Sequence, residues 1–353
     1  MTVLVTGGAG YIGSHMVWKL LDAGEKVVVL DRLSTGFDWA VAPEARLYIG
    51  DVADVALVSQ IIHSHGIDAI IHFAGSIVVP ESIADPLGYY ENNTSKSRTL
   101  IETAIKCGVP HFIFSSTAAI YGPIGDEPVA EDRPPLPETP YGASKLMTER
   151  MLADAAAVFP FTYTALRYFN VAGADPLGRT GQSTAGATHL LKVTCETALA
   201  KRPFMEVFGT DYATADGTCE RDFIHVSDLV HAHLLALQRL RSGGKSLVAN
   251  CGYGHGYSVL ELIESVRRTS GRDFDVRFGP RRPGDIVRVV ANSALARKEL
   301  GWVPALDDLD TIVSTAFAWE ASLSRRNSYT GAGISTPEPA ELAPLREKAQ
   351  TAS

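Results

Sequence analysis

The 353-residue chain has few cysteines, no excess of positive charge and no long apolar run, and each shortage excludes a class of protein. The four cysteines (Cys107, Cys195, Cys219 and Cys251) are far apart and form no C-x-x-C pair, which argues against a disulfide framework. The formal net charge of −8 argues against a nucleic-acid partner, because neutralising phosphates requires a basic surface. No apolar run is long enough to cross a membrane, and the first strand-like segment follows Met1 without a leader. We therefore expect a cytoplasmic protein that binds neither nucleic acid nor membrane.

The histidines do not predict a metal site either. His63 and His65 are two residues apart, as are His231 and His233, so on helices the members of each pair point in different directions. A core or surface histidine is the more common role, and we predict no bound metal.

The first half of the chain alternates strand-like and helix-like segments. Strands are predicted at 2–6, 26–31, 46–51, 68–75, 111–116 and 161–170, with helices at 11–24, 55–65, 87–107 and from Tyr141. Near-continuous runs of Val, Ile and Leu indicate strands buried on both faces, as parallel strands are when helices cover them. The repeated strand–helix order predicts an α/β fold with a doubly wound, Rossmann-like parallel sheet.

The second half is less regular and suggests a division into two domains. We predict a nucleotide-binding domain over residues 1–172, to which residues about 222–245 return, and a smaller α/β substrate-binding domain over 173–331. Its Gly/Thr-rich loops at 178–188 and 209–220 are of the irregular kind that often carries binding function. Residues 332–353 are mostly small or polar with three prolines, which predicts a disordered tail.

The stretch "TGGAGYIGSH" follows the first predicted strand and opens the first helix. Gly8, Gly10 and Gly13 satisfy G-x-G-x-x-G, and Gly7 extends the pattern to G-x-x-G-x-x-G. Glycines let the backbone turn sharply and approach a pyrophosphate, which the N–H groups at the start of the helix then bind. The second strand ends in Asp31, eighteen residues beyond Gly13, where a carboxylate binds ribose hydroxyls and repels the extra phosphate of NADP. The pattern predicts NAD as cofactor.

Two further strand ends are predicted to contact the cofactor. Asp51 is placed to meet the adenine, although a polar strand-end residue of purely structural role would look the same. Phe73, Ala74 and Gly75 end the fourth strand with small residues, as close approach of the backbone to a cofactor requires.

Tyr141 and Lys145 lie four residues apart at the start of a predicted helix and therefore share a face. The pair alone is weak evidence, because a packed tyrosine and a surface lysine give the same spacing. A phenol with a pKa of about 10 is a poor base, but an ammonium about 4 Å away supplies roughly the 4 kcal/mol that lowers it towards 7. A positive nicotinamide would add to this effect. Ser115, Ser116 and Thr117 end the fifth strand at the ligand-binding edge of the sheet, where Thr117 could hydrogen-bond a substrate hydroxyl.

These features together resemble the extended short-chain dehydrogenase/reductase superfamily. In that superfamily, sugar-nucleotide dehydratases usually follow the hydroxyl of the fifth strand with Asp-Glu, and related decarboxylases carry a Glu. Here Thr117 is followed by Ala118 and Ala119. The resemblance therefore implies reversible oxidation with no second acid.

Further motifs, in order from residue 3 to 285, resemble those of the UDP-glucose 4-epimerases. They include "PLGYYENN", "SSTAAIYG", "PYGASKLMTE", "LRYFNVAGA", "FGTDYATADGTCERDFIHVSDL" and "PRRPGD". The resemblance implies that Tyr141 removes the proton of the sugar 4-hydroxyl while NAD⁺ accepts hydride from C4. The 4-keto sugar then turns over and hydride returns to the other face. It also implies tightly held NAD, a UDP-sugar substrate and a homodimer.

The same resemblance implies which residues bind each ligand. The cofactor residues are Gly7, Gly10, Tyr11, Ile12, Gly13, Asp31, Asp51, Val52, Phe73, Ala74, Gly75, Asn92, Ser115, Tyr141, Lys145 and Tyr168. The substrate residues are Thr117, Asn170, His189, Leu190, Arg221, Arg282, Asp285 and Val289. Two arginines suit a diphosphate, and a carboxylate suits ribose hydroxyls.

Three positions depart from the family's pattern. Ile77 stands where many epimerases have a lysine beside the pyrophosphate, and His189 stands where the family often has asparagine. Val289 stands where some members have a tyrosine that walls the sugar pocket, so a larger N-acetylated hexose could fit. The alternatives are a 4-epimerase for another UDP-sugar (UDP-N-acetylhexosamine, UDP-pentose or UDP-uronic acid), a net NAD-dependent dehydrogenase and a non-catalytic NAD-binding regulator.

Overall fold

A computed structural model describes residues 1–123, 125, 127–282 and 286–329, with side chains in the last helix described as far as Leu323. The predicted tail at 332–353 and the predicted substrate ligand Asp285 lie outside the described residues. The strands are β1 (Thr2–Thr6), β2 (Lys26–Asp31), β3 (Arg46–Ile49), β4 (Ile67–His72), β5 (His111–Thr117), β6 (Thr162–Tyr168), β7 (Asn170–Ala172), β8 (Met205–Phe208), β9 (Glu220–Arg221), β10 (Phe223–His225), β11 (Leu247–Cys251), β12 (Tyr257–Ser258), β13 (Val276–Gly279) and β14 (Arg288–Val289). The helices are α1 (Tyr11–Asp22), α2 (Val55–His65), α3 (Val79–Ala84), α4 (Pro86–Tyr89), α5 (Lys96–Lys106), α6 (Pro140–Val158), α7 (Leu190–Ala198), α8 (Val226–Arg241), α9 (Val259–Ser270), α10 (Ala294–Leu300) and α11 (Leu309–Tyr329).

Within the described residues, seven parallel strands form one sheet in the order β11-β6-β5-β4-β1-β2-β3. The strand order reverses between β1 and β4, so the chain segments that follow these two strands lead away from each other. In open α/β sheets such a reversal leaves a crevice at the carboxyl ends of the strands, where ligands bind. The doubly wound, Rossmann-like sheet predicted from the sequence is confirmed.

The apolar run of β2 is uninterrupted because both faces of this strand are buried. Val27 and Val29 belong to the core on one face of the sheet, which α1 and α8 also form. Val28 and Leu30 belong to the core on the opposite face, together with residues of α2 and α5. All four side chains are almost fully buried, and each such burial stabilises the fold by about 1.5–3 kcal/mol.

The helix predicted at 87–107 is not continuous. It consists of the short helix α4, a π-helical turn over Tyr90–Ser95 and then α5. The wider turn changes which side chains face the sheet, and π-turns within helices are frequent at functional sites. Hydrophobic periodicity does not distinguish such a turn from a regular helix.

The chain returns to the large sheet, as predicted for residues about 222–245, but the return extends beyond them to β11. Helix α8 packs against α1, and β11 pairs with β6 at the sheet edge. The remaining strands form small sheets, β7 with β10, β8 with β13, and β9 with β12 and β14. The division into two domains near residue 172 stays a prediction. Among the helices described, none is both long and apolar enough to cross a membrane.

Candidate active site

The glycine loop between β1 and α1 lies against the end of β4. A side chain at Gly7 would place its Cβ 2.6 Å from the backbone nitrogen of Ala74, and Gly7 has a φ of +72°. A Cβ on Gly13 would lie 2.1 Å from the carbonyl oxygen of Gly7, so the first turn of α1 packs directly on the loop. Gly10 is the N-cap of α1 and provides no side chain to cap it, which leaves the start of the helix open to an anion. Tyr11 and Ile12 form that first turn, and their predicted contact with the cofactor stays a prediction.

We expect Gly7→Ala to reduce both NAD binding and stability, because it adds a backbone clash to an unfavourable φ. Gly24 is a matched control, since its φ is +80° and nothing lies within 4 Å of the position of its Cβ. Gly24→Ala should lose only the roughly 1–2 kcal/mol that a left-handed conformation costs. Thermal unfolding and the NAD content of the purified variants measure the two effects. Equal behaviour of the two variants would contradict the close-packed loop.

Asp31 and Asp51 lie at the ends of adjacent strands, but their surroundings differ. The Asp31 carboxylate accepts hydrogen bonds from the backbone nitrogens of Ala9 (3.0 Å) and Leu33 (2.8 Å), which fixes it beside the glycine loop. The Asp51 carboxylate accepts hydrogen bonds from the backbone nitrogen of Ala53 (2.9 Å) and from the ammonium of Lys96 (2.5 Å). Partial burial opposes ionisation of Asp51, but these hydrogen bonds outweigh it and lower its pKa. Lys96 was not predicted as part of the site.

The loop after β4 is fastened to the π-helical turn. Asn93 is buried, accepts a hydrogen bond from the backbone nitrogen of Ser76 (2.7 Å) and donates to the carbonyl oxygen of Ser76 (2.9 Å) and to Ser144 (3.1 Å). Asn92, the asparagine predicted from the sequence, donates to the Ser76 hydroxyl (2.8 Å). One side chain thus ties the predicted cofactor segment Phe73–Gly75 to helix α6, which carries Lys145.

Tyr141 and Thr117 are brought together by the start of α6. Thr139 caps this helix by accepting a hydrogen bond from the Gly142 nitrogen (3.2 Å), and Pro140 occupies its first turn. A Cβ on Gly142 would lie 2.5 Å from the carbonyl oxygen of Ala119, so the helix packs tightly on the segment after β5. The Tyr141 and Thr117 side chains are hydrogen-bonded, and Tyr141 is 8% exposed.

Lys145 is buried one helical turn beyond Tyr141. Its ammonium donates to the carbonyl oxygen of Ser115 (3.1 Å) and lies 5.0 Å from the centre of the Phe114 ring. Burial lowers the pKa of Lys145 to about 8. Burial also raises the pKa of Tyr141, and the hydrogen bond with Thr117 lowers it only in part. The expectation that Lys145 brings the phenol near neutrality is therefore wrong for the protein alone, because desolvation outweighs the favourable contacts.

Three other predicted cofactor residues lie at or just beyond the ends of strands of the large sheet. Ser115 is hydrogen-bonded to the hydroxyl of Tyr168, and burial raises the pKa of that phenol. Phe73 lies beside the ring of His233, with 4.9 Å between ring centres. Val52 belongs to the core and is 8% exposed.

Three predicted substrate residues line one cavity. Asn170, His189 and Leu190 contribute to its wall, as do Phe223 and Trp319, which the sequence did not indicate. His189 begins α7, and its Nδ1 is 2.8 Å from the side-chain amide nitrogen of Gln182. Burial lowers the pKa of His189, which favours a neutral ring.

Arg221 and Val289 lie on short strands of the second half, and Arg282 follows β13. Arg221 and Val289 are register partners in the β9–β14 pair, so the arginine and the candidate sugar-pocket residue are neighbours. Arg282 lies over the ring of Phe208, 4.3 Å from its centre. Phe208 was not predicted, and only its position at a strand end before a glycine-rich loop could have indicated it.

A buried ion pair lies beneath the candidate catalytic residues and was also missed. Arg167 and Glu149 form a two-pronged pair with contacts of 2.6 and 3.0 Å, and Glu149 also accepts a hydrogen bond from Ser116. Arg167 donates to Tyr121 (2.9 Å), whose hydroxyl donates to Asn250 (2.7 Å). The network joins β5, β6, β11 and α6 at the edge of the sheet that carries Thr117.

Residues 3–252 match the model of the NAD-dependent epimerase/dehydratase family. The chain belongs to this family. A UDP-glucose 4-epimerase of Azospirillum brasilense is 52% identical over 94% of this chain and 95% of its own length. The structure of a UDP-glucose 4-epimerase of Bifidobacterium longum in complex with NAD⁺ and UDP is 37% identical, with a TM-score of 0.86 over 91% of this chain and 98% of that one. A UDP-Glc/GlcNAc 4-epimerase of Campylobacter jejuni is 45% identical, with a TM-score of 0.80 over 91% of this chain and 99% of that one.

The family's cofactor, NAD, suits the residues at the crevice. The glycine loop leaves no room for a side chain at Gly7 or Gly13, and the uncapped start of α1 faces the space an anion needs. Asp31 holds a carboxylate at the end of β2, where it favours a ribose over a 2′-phosphate.

Proposed function

We propose that this chain catalyses the reversible C4 epimerisation of a UDP-hexose, interconverting UDP-glucose and UDP-galactose through a 4-keto intermediate. The observation that carries the proposal is the hydrogen-bonded pair of Tyr141 and Thr117, with Lys145 buried one turn away, at the crevice beside the glycine loop. Relatives that match more than nine-tenths of the chain and are named for this activity support it.

In this mechanism Tyr141 is the general base and acid. It takes the proton from the sugar 4-hydroxyl and later returns it to the same oxygen, while Thr117 hydrogen-bonds O4 in both steps. NAD, held by the glycine loop and Asp31, would supply the reversible hydride transfer at C4. The charge of Lys145 stabilises the phenolate that Tyr141 becomes. Ala118 and Ala119 place no acid beside O4, so elimination of water is not assisted.

The UDP moiety is assigned to the second half of the chain. Asn170, His189 and Leu190 share a cavity wall there. Arg221 and Arg282 supply positive charge for the diphosphate. The ring of Phe208, already in contact with the Arg282 guanidinium, offers an apolar face on which a base can stack.

Incubation of the purified protein with UDP-glucose, without added NAD, tests the proposal. Chromatography should show UDP-galactose, and no NADH absorbance should accumulate, because the hydride returns to the sugar in each turnover. Steady NADH production would instead indicate a net dehydrogenase. No product from any UDP-sugar, even with added NAD, would favour the non-catalytic regulator.

We expect the rate of epimerisation to fall as the pH rises through about 8. Lys145 has a pKa of about 8 because it is buried, and above that value it loses the charge that stabilises the Tyr141 phenolate. Initial rates between about pH 6 and pH 10, at saturating UDP-glucose, measure the effect. A Lys145→Met variant should be slower throughout and should lack the alkaline fall. A wild-type rate that stays constant up to about pH 10 would contradict the role of this charge.

A second candidate function is 4-epimerisation of UDP-N-acetylhexosamines. Val289 is a small side chain that packs near Phe169 and Ile120, at the position expected to wall the sugar pocket. The similarity to a UDP-Glc/GlcNAc 4-epimerase also favours it. We expect Val289→Tyr to lower kcat/KM for UDP-N-acetylglucosamine about tenfold or more relative to UDP-glucose. Val158→Tyr, at a site that is 75% exposed, is the control, and equal effects of both variants on the ratio would exclude Val289 from the pocket.

We further propose that the protein acts as a cytoplasmic homodimer. The resemblance to the UDP-glucose 4-epimerases supports the dimer, and light scattering of the purified protein tests it.

A further inference from the structure

A groove beside the candidate NAD site contains two cations and three carboxylates among its described residues. It runs between the end of β2, the loop after β4 and the helices α3 to α5, and its lining includes Ser76, Arg32, Lys96, Glu81, Asp85 and Glu91. Arg32 directly follows Asp31, and Ser76 directly follows Gly75. The groove is therefore continuous with the segments that are assigned to the cofactor.

Lys96 extends from this groove to the loop after β3. Its ammonium is 2.5 Å from Oδ2 of Asp51, and the Arg32 guanidinium is 3.8 Å from the same oxygen. The Asp51 carboxylate cannot swing freely, because its other oxygen accepts a hydrogen bond from the Ala53 nitrogen (2.9 Å). The Lys96 and Asp51 side chains are 21% and 34% exposed, so the pair lies at the mouth of the groove and not in the core.

The position of this pair matters because Asp51 is assigned to the adenine. Lys96 starts α5 and Asp51 follows β3, so their contact joins two elements beside the strand end that is assigned to the adenine. The diphosphate of NAD brings two negative charges close to a groove that already contains Glu81, Asp85 and Glu91. Ile77, beside this groove, is 54% exposed and contributes no charge. Lys96 and Arg32 therefore supply the positive charge on this wall.

We propose that Lys96 and Asp51 form a latch that retains NAD by closing over its adenosine end. The proposal rests on the assignment of the adenine to the neighbourhood of Asp51. An enzyme that regenerates its cofactor in each turnover gains from slow release, and a partly exposed ion pair can open without unfolding. The latch must open before NAD dissociates, and the charge of Lys96 also attracts the diphosphate when the latch is open.

The rate of NAD loss from the purified holoenzyme tests the latch. Bound NAD is followed after dilution into excess isotopically labelled NAD, by chromatography of the denatured protein. We expect Lys96→Met to lose NAD roughly fivefold faster than the wild type, the factor that one partly exposed ion pair supplies. Arg98→Met is the matched control, because Arg98 lies on the same helix in a more exposed ion pair with Glu102 (2.9 Å) and does not line the groove.

Two further results separate a latch from a general loss of stability. Added salt should accelerate NAD loss from the wild type and change it little in Lys96→Met, because screening weakens an exposed pair that the variant no longer has. A Lys96→Met/Asp51→Asn double variant should lose NAD no faster than Asp51→Asn alone. Equal rates of NAD loss for wild type and Lys96→Met, or an equal acceleration by Arg98→Met, would overturn the latch. The proposed function would stand if the wild-type protein interconverts UDP-glucose and UDP-galactose. A wild-type protein purified without NAD would also overturn the latch, because the ion pair would then retain no cofactor.

Discussion

Tyr141→Phe is expected to lower the kcat for UDP-glucose epimerisation by about 10²–10⁴-fold, the range that a positioned acid–base group supplies. The variant removes one hydroxyl and keeps the ring, so the packing of this buried side chain is preserved. The lost hydrogen bond with Thr117 should lower stability by only about 1 kcal/mol. Because the phenol acts after the substrate has bound, KM should change far less than kcat.

The physical reason lies in the electrostatics around the phenol. Burial raises the pKa of Tyr141, so the protein alone keeps the phenol neutral. Lys145 alone does not favour the phenolate, and we propose that an oxidised nicotinamide, when bound, would add the positive charge that is missing. The base is thus coupled to the presence of oxidised cofactor, which prevents proton abstraction when no hydride acceptor is bound.

Tyr48→Phe is the matched control for this variant. Tyr48 lies on β3, and its hydroxyl is 2.8 Å from His65, remote from the crevice at Thr117. Both variants should fold and contain NAD as the wild type does, and only Tyr141→Phe should lose activity. A Tyr141→Phe enzyme within about tenfold of the wild-type rate would show that another group moves the proton.

Much of the fold follows from local sequence. The strands β1, β2, β5 and β6 have apolar runs bounded by turn residues, and burial on both faces makes those runs continuous. The strand β11 was missed because "LVANC" is short and follows an irregular segment, and its place beside β6 is set by long-range pairing. The π-helical turn at Tyr90–Ser95 was missed because its mostly polar residues carry no apolar pattern that would distinguish it from a regular helix.

The residues of the candidate site can likewise be divided into those that local sequence predicted and those that it did not. Residues within motifs, such as Gly7, Asp31 and Tyr141, were predicted because their spacing along the chain reflects one local element. Lys96 was missed because its partner Asp51 is 45 residues earlier, and no local pattern connects them. The pKa of Tyr141 was misjudged for a related reason. The charge of Lys145 could be counted from the sequence, but the depth of burial that opposes it could not.

Arg167→Met is expected to lower the free energy of unfolding by about 3–5 kcal/mol, because it leaves the charge of Glu149 buried without its partner. Glu149 and Arg167 are 5% and 7% exposed, so water cannot replace the lost contacts. Glu149 would keep only the hydrogen bond from Ser116, and Tyr121 would keep only its hydrogen bond to Asn250. For a chain of this size the loss corresponds to a fall in Tm of roughly 4–7 °C. Arg150→Met, on the exposed face of α6 next to Glu149, is the control and should stay within about 0.5 kcal/mol of the wild type.

The double variant Glu149→Met/Arg167→Met separates two explanations of this loss. If the unpaired charge is the cause, removing both partners should recover most of the stability, since two apolar side chains fill the space without a buried ion. If the network is required as a whole, the double variant should be as unstable as Arg167→Met. We expect recovery of stability without full recovery of activity. Glu149 also accepts a hydrogen bond from Ser116, which fixes the residue next to Thr117 against the helix that carries Tyr141. The double variant loses this hydrogen bond, so Thr117 and Tyr141 would be positioned less firmly. Thermal unfolding and kcat measured on the same samples distinguish these outcomes.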